Sequence, residues 1–434
     1  MGRTAMMFVI CFNVIFMVMG FTMSDVSSRA YVRYTNYYKH EESQYVVQSA
    51  VNMGIARIFN GGNCDTNWTP PAGNIQLQGT DDFFTLNRQI SGQFRDTITI
   101  IAGGTCGGFH DTSIVTLIRR SFSQFTNYSV NEGGLPWIKG DTCFGRYHTQ
   151  DYIYLDGQNP NAATFMKMAT TKLGKSGTGV GNFYGGYASG VDNPLPSSCA
   201  EVISQTGKTW SADTYIQFFA NGQVAVNTGG TSWTTGTRTV YANIGALTST
   251  NVALVNGGGD LHVKGTLSGQ ITLGCVGSGH VYLDSSLVYN VAPVLSNGTA
   301  NPACTDMLGI VADGDFQIPE RFNGATSGSN YLVDLKVDGS IFSRTGGIIA
   351  DNYAGRAIGT FTAEGGLQLY QRKSVGTHDS NGNRTSGFAK NFHEDPRLSS
   401  MAPKAYPSTK VFQVCKWFES AKTTSAFWDN ELIY

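Results

Sequence analysis

Hydrophobic and polar positions divide this chain into two unlike parts. Ala5–Met23 is an apolar run without a charged side chain. From Asp25 the pattern turns amphipathic, with apolar or aromatic residues at Val26, Ala30, Tyr34, Tyr37, Tyr45, Val51, Ile55 and Phe59, interrupted by Glu41 and Gln48. Steps of three or four keep them roughly on one helical face. Arg29, Arg33, Lys39 and Glu42 lie off that stripe. No proline breaks the pattern before Asn60-Gly61-Gly62-Asn63 stops it. The spacing predicts one helix over 1–59, apolar on all sides at first and then along one stripe.

The apolar run would span roughly 28 Å at ~1.5 Å per residue, close to the ~30 Å hydrocarbon core of a bilayer. A cleaved signal peptide is the rival reading. Gly20-Phe21-Thr22 makes a poor cleavage site, and the helical pattern continues past it. Asn13 places an amide in mid-run, where it would seek a partner on another helix. A helix of ~55 residues would be about 80 Å long. One small domain cannot cover that, so the first half needs membrane or other helices. Met6, Val9, Asn13, Val14, Met17 and Phe21 are the candidate assembly positions.

Beyond residue 60 the periodicity changes to two. Short β-prone runs alternate with Gly or Asn turns: Ile75–Gln78, Asp96–Ile101, Ser113–Ile118, Asn251–Val255, Asp260–Thr266, Gln270–Cys275, Gly279–Asp284, Met307–Ala312, Tyr331–Gly339, Gly347–Ala350 and Gly366–Tyr370. No long crossover helix intervenes. The expected fold class is α+β: a long N-terminal helix, then a large mostly-β domain resembling a β-solenoid or β-helix, with a β-sandwich as the alternative. The division expected is an assembly helix over 1–59, a β-rich head region over 60–240 and a solenoid-like domain over 241–434.

Charge and cysteine content narrow the function classes. The net charge over 434 residues is −1, and charged residues make up 14%, against about 25% in ordinary domains. A general electrostatic attraction to nucleic acid is excluded, and Ser, Thr, Asn, Gly and Tyr must cover the surface. Glycine (53) far exceeds proline (12), which fits tight turns between strands. Cys11 reads as a small hydrophobe in the apolar run. The other cysteines are Cys64, Cys106, Cys143, Cys199, Cys275, Cys304 and Cys415. None forms a Cys-x-x-Cys pair; in an exported domain they are possible disulfide cysteines, the odd count leaving at least one over.

Candidate chemistry is sparse. His148 and Asp151 suggest a catalytic pair, but no nucleophile accompanies them, and a histidine fixing a turn before a strand is preferred. Gly174-Lys175-Ser176 lacks the first glycine of a phosphate loop, because residue 169 is Ala169. Gly174–Gly190 reads as a turn-rich surface segment with aromatics Phe183, Tyr184 and Tyr187. Asp379-x-Asn381-x-Asn383 has calcium-loop spacing, but Arg384 and Lys390 stand where glycine and glutamate belong. Asp313/Asp315 and Asp334/Asp338 read as turn formers. Asp395-Pro396-Arg397 reads as a proline-locked turn. No catalytic residue, metal ligand or cofactor is expected.

The helix, with Ser43-Gln44-Tyr45-Val46-Val47-Gln48-Ser49-Ala50-Val51-Asn52-Met53-Gly54-Ile55-Ala56, resembles the N-terminal helix of type IV pilin-like proteins of the minor-pilin type. The glutamate usual at the fifth mature position of those proteins has no counterpart, since no carboxylate precedes Asp25. Three further segments resemble exported bacterial pilin-like proteins that carry a β domain of unknown function. They are Gly140–Gly157 around His148, Met307–Pro319, and Ser386–Leu398 ending Asp395-Pro396-Arg397-Leu398. The resemblance implies a structural subunit of an extracellular pilus-like filament, anchored in the inner membrane before assembly and handled by pilus assembly machinery. The partner is then a second copy of the chain in a helical homo-oligomer. The alternatives are a minor or tip adhesin of such a pilus, or a membrane-tethered carbohydrate-active β-helix enzyme.

Overall fold

A computed structural model describes residues 2–59, 69–77, 82–91, 97–138, 140–156, 162–321, 331–379 and 383–419. One helix, α1 (Gly2–Phe59), runs unbroken through the apolar and amphipathic stretches. A large mostly-β region follows. Contacts divide the chain into two compact units: Met1–Arg119 with Val411–Ile433, and Arg120–Lys410. These boundaries differ from the expected ones at 59/60 and 240/241, because the first β-strands group with the helix and the chain's C-terminal strand rejoins them.

In the first unit, β1 (Ile75–Gln76), β2 (Phe83–Ser91), β3 (Thr97–Cys106) and β4 (Phe109–Ser121) pair antiparallel in order. The C-terminal strand Ser408–Glu419 completes the sheet beside β4. Strict alternation in β3 buries Ile98, Ile100, Ala102, Gly104 and Cys106 on one face. With Phe84, Leu86, Val115, Leu117 and Phe412, the first three form a core with Val46, Val47, Ala50, Val51 and Ile58 of α1. The helix comes close because the facing residues are small: Gly54 sits against Ile100 and Leu86, and Gly104 against Val47.

The buried face of α1 is Ser43, Val46, Val47, Ala50, Val51, Gly54 and Ile58. The expected stripe is therefore corrected. Tyr34, Tyr37 and Tyr45 are exposed, and of the positions read as the stripe only Val51 is buried, with Ile55 and Phe59 at the margin of the core. A tyrosine keeps its hydroxyl in water at little cost, whereas valine, alanine and glycine permit close helix–sheet packing.

In the second unit the strands pair mainly in parallel. One ladder runs Val252–Asn256, Gln270–Val276, Met307–Ala312, Leu335–Ser343 and Gly359–Gln371. Its next member is not a later strand but Asn127–Asn131, followed by Tyr147–Thr149, Ala169–Thr171 and Tyr187–Ser189. A second ladder joins Gly359–Gln371 to Arg384–His393 and then to Thr142–Cys143, Thr164–Phe165 and Asn182–Phe183. A third runs Thr214–Phe218, Leu261–Leu267, Val281–Tyr289, Phe316–Ile318 and Ile348–Ala350. Where Leu335–Ser343 and Gly359–Gln371 turn a corner, the register pair is Gly339 and Gly365, with φ of 135° and 143°. Only glycine adopts that backbone without strain.

A continuous core from Trp137, Tyr147 and Phe165 through Ile216, Leu283 and Ile341 to Phe392 fills the space between ladders. The opposite face of the first ladder is buried too. Val252, Leu254, Val311 and Phe342 pack there with Phe122, Tyr128, Cys199, Val202 and Tyr406. Gly174–Gly190, expected as a turn-rich surface segment, contains three short strands, Gly174–Gly177, Asn182–Phe183 and Tyr187–Ser189. Lys175 lies over the rings of Phe183 and Tyr187 at 4.9 and 4.4 Å.

Candidate functional site

The apolar half of α1 is the feature with the least internal explanation. Met6, Val9, Val14, Met17 and Phe21 expose 54–67% of their surface, and Asn13 is exposed as well. No residue of the helix before Ser43 is buried. The segment is long and apolar enough to cross a membrane, and it lies wholly outside the protein core. Exposed apolar residues on this scale mark a surface that meets lipid or another chain. Beyond it, Asp25 and Arg29 pair at 2.9 Å across one helical turn, and Tyr31, Tyr34, Tyr37 and Tyr38 present a band of exposed rings. Such amphipathic rings suit the boundary between apolar and wet surroundings.

Within the second unit, charges concentrate where the early segment joins the later strands. Arg372 pairs with Glu132, which is fully buried and also accepts from Ser129. Arg372 donates to the Pro136 carbonyl at 2.9 Å. Asp141 receives Lys390 Nζ at 3.1 Å and Arg384 at 3.3 Å. The Trp137 ring lies 5.0 Å from the Arg372 guanidinium and 5.2 Å from Lys390 Nζ. Burial pushes the Lys390 amine down to about 8, against the opposing pull of Asp141. No sequence motif marks this cluster, because its members lie up to 249 positions apart.

The residues singled out for chemistry are occupied structurally. His148 is buried on the strand Tyr147–Thr149, with Nδ1 2.7 Å from Thr170 Oγ1 and Tyr128 stacked on its ring. Burial pushes its pKa down to about 4. Asp151 accepts from the N–H of Glu132 at 3.1 Å and of Tyr152 at 2.8 Å. Asp313 holds Arg344, and Asp315 holds Lys373 at 2.6 Å. Asp334 and Asp338 accept backbone N–H groups of Thr360 and Tyr289. Asp379 accepts the N–H of Asn383 at 2.8 Å, while Asn381 lies outside the described residues. Arg397 grips Asp395 at 2.6 Å and donates to the Cys304 carbonyl at 2.7 Å, fixing the turn that Pro396 starts.

Among the described residues, Cys106, Cys143, Cys199, Cys275, Cys304 and Cys415 are free thiols, as is Cys11; Cys64 lies outside the described residues. The thiols bond to other partners: Cys106 donates to Glu42 at 3.3 Å, Cys199 to Asp313 at 3.3 Å, and Cys143 to the Gly145 carbonyl at 3.5 Å. Glu42, Asp82 and Cys106 bring one potential ligand atom each within 4.8 Å of the others. Burial, then hydrogen bonds to Asp82 and Glu42, raise the Cys106 thiol to about 12. It therefore keeps its proton and acts as a donor to the two acids.

No family model and no curated protein matches the chain. Among solved structures it is similar to the competence-associated pilin ComZ from Thermus thermophilus, at 13% identity and a TM-score of 0.34, over 88% of this chain and 98% of that one. A likeness that low carries no argument about fold or role.

Proposed function

We propose that the chain is a structural subunit of an extracellular type IV pilus-like filament that polymerises through its N-terminal helix. One observation carries the reading: a single unbroken helix is packed on its own sheet from Ser43 onward and is wholly uncovered over its apolar half. In the membrane, lipid covers that half; after assembly, copies of the same helix do so. Each environment removes the apolar side chains from water, at about 25 cal/mol per Å². Asn13 then supplies an interhelical hydrogen bond. The β region of the second unit is read as a solenoid: its ladders are mainly parallel, as stacked coils require, whereas the sandwich alternative is built from antiparallel sheets. Its acids and cations pair with one another and with backbone, which favours a wall-building role over a catalytic one.

Mechanical shearing of cells, followed by electron microscopy and immunolabelling, tests the reading. Filaments that carry this chain along their length support it. A chain that stays wholly monomeric in the membrane fraction overturns it. Labelling confined to filament ends would assign the minor or tip role instead.

A further inference from the structure

We propose that Lys390 and Asp141 are joined by an intramolecular amide bond, a covalent clamp across the seam where the early segment meets the later strands. This inference does not depend on the filament reading. It starts from topology. The strand Arg384–His393 pairs in parallel with Thr142–Cys143, in the register Asn391↔Thr142. Lys390 and Asp141 each immediately precede one partner of that register pair. Their side chains are largely buried, and Lys390 Nζ lies 3.1 Å from Asp141 Oδ2.

The surroundings favour condensation over a persistent ion pair. Trp137 lies against the amine and Phe392 is a buried neighbour in sequence, so the site is shielded from bulk water. Two buried charges lose hydration that their mutual attraction only partly replaces. Arg372 and Arg384 lie close enough to Lys390 for their positive charge to favour the neutral amine, which is the nucleophile. Asp141 is held as an acceptor on both oxygens. Arg384 Nη2 meets Oδ1 at 3.3 Å, and the Ile138 N–H donates to Oδ2 at 3.2 Å. Donors placed in this way draw electron density from the carboxyl carbon and stabilise the negative oxygen that forms on attack.

The reaction balances without a co-reactant. Lys390 Nζ attacks Asp141 Cγ and a C–N bond forms. One Cγ–O bond breaks, and that oxygen leaves as water with two of the three ammonium protons. A side-chain ammonium and a carboxylate thus become one neutral amide and one water. Fixed contact between the two groups supplies the effective concentration that free amines and acids lack. The product removes both buried charges and ties residues 249 positions apart.

Peptide mapping of the purified full chain by mass spectrometry tests the proposal. The expected result is a branched peptide that joins the segments around Asp141 and Lys390, lighter than their sum by one water, with no tryptic cleavage at Lys390. A Lys390→Arg variant should return the two segments as separate peptides. Recovery of both wild-type segments unlinked, with cleavage after Lys390, overturns the proposal. Because the wild-type map alone decides this, a variant that fails to fold leaves the test intact.

Discussion

Val47 of α1 packs onto the bare backbone of Gly104 in β3. A Cβ built on Gly104 would lie 2.5 Å from Val47 Cγ2 and 3.1 Å from the Ser43 carbonyl oxygen. The absence of one methyl group therefore sets how closely the helix approaches its sheet. Gly104→Ala should destabilise the first unit by about 1–3 kcal/mol, the usual cost of overpacking a filled core. Denaturant unfolding read at the tryptophans or by circular dichroism checks this. An unchanged midpoint would show that the helix can lift off its sheet without penalty.

The exposed apolar half of α1 predicts a different phenotype. Val14→Asp or Met17→Asp puts a carboxylate into surroundings expected to be lipid or packed helix, at a cost of about 3 kcal/mol near a membrane centre. Neither residue touches the core, so the folded β region should be unaffected. The expected outcome is loss of membrane retention and of sheared filaments, with normal protease resistance of the β region. Wild-type filament yield from both variants would count against the assembly reading.

Glu132 and Arg372 form a buried pair, with exposures of 0% and 7%. Removing one partner strands the other charge, so Glu132→Ala should cost about 3–5 kcal/mol. Replacing both, as Glu132→Ala with Arg372→Ala, should cost clearly less than the sum of the two single changes. A double-mutant cycle measured by chemical denaturation separates these outcomes, and additive losses would mean that the pair is not coupled.

His148 predicts a pH dependence. Its pKa falls from the ordinary 6.5 to about 4 through burial. Between those values the unfolded chain binds a proton that the native chain refuses. Stability is therefore fully present above about 6.5 and is lost as pH falls toward 4, by about 3 kcal/mol in total. Unfolding free energies at pH 7 and pH 4.5 should differ by less in His148→Gln than in the parent. An equal drop in both would place the acid sensitivity elsewhere.

The seam extends these arguments beyond single residues. Arg372 reaches back to Glu132, so the late strands are keyed to the early ones through a specific buried charge pair. Apolar strands of similar length can slip against one another. A buried charge that fits only one partner penalises each wrong register.

The long helix, its apolar span and eleven of the β-strands are legible in the chain alone, because those depend on local periodicity. An uninterrupted apolar run and alternating Thr-Ile-Thr-Ile can be read one window at a time. The tyrosines misled, since hydrophobicity alone cannot distinguish a ring that packs from one that reaches for water. The neighbour relations come from the fold: the helix face built on Ser43, Ala50 and Gly54, the insertion of Asn127–Asn131 after Gly359–Gln371, and the meeting of Lys390 with Asp141. Strand order and charge pairing join residues hundreds of positions apart. They are settled by which surfaces fit and which buried charges find partners, and that information is not local to any stretch of the chain.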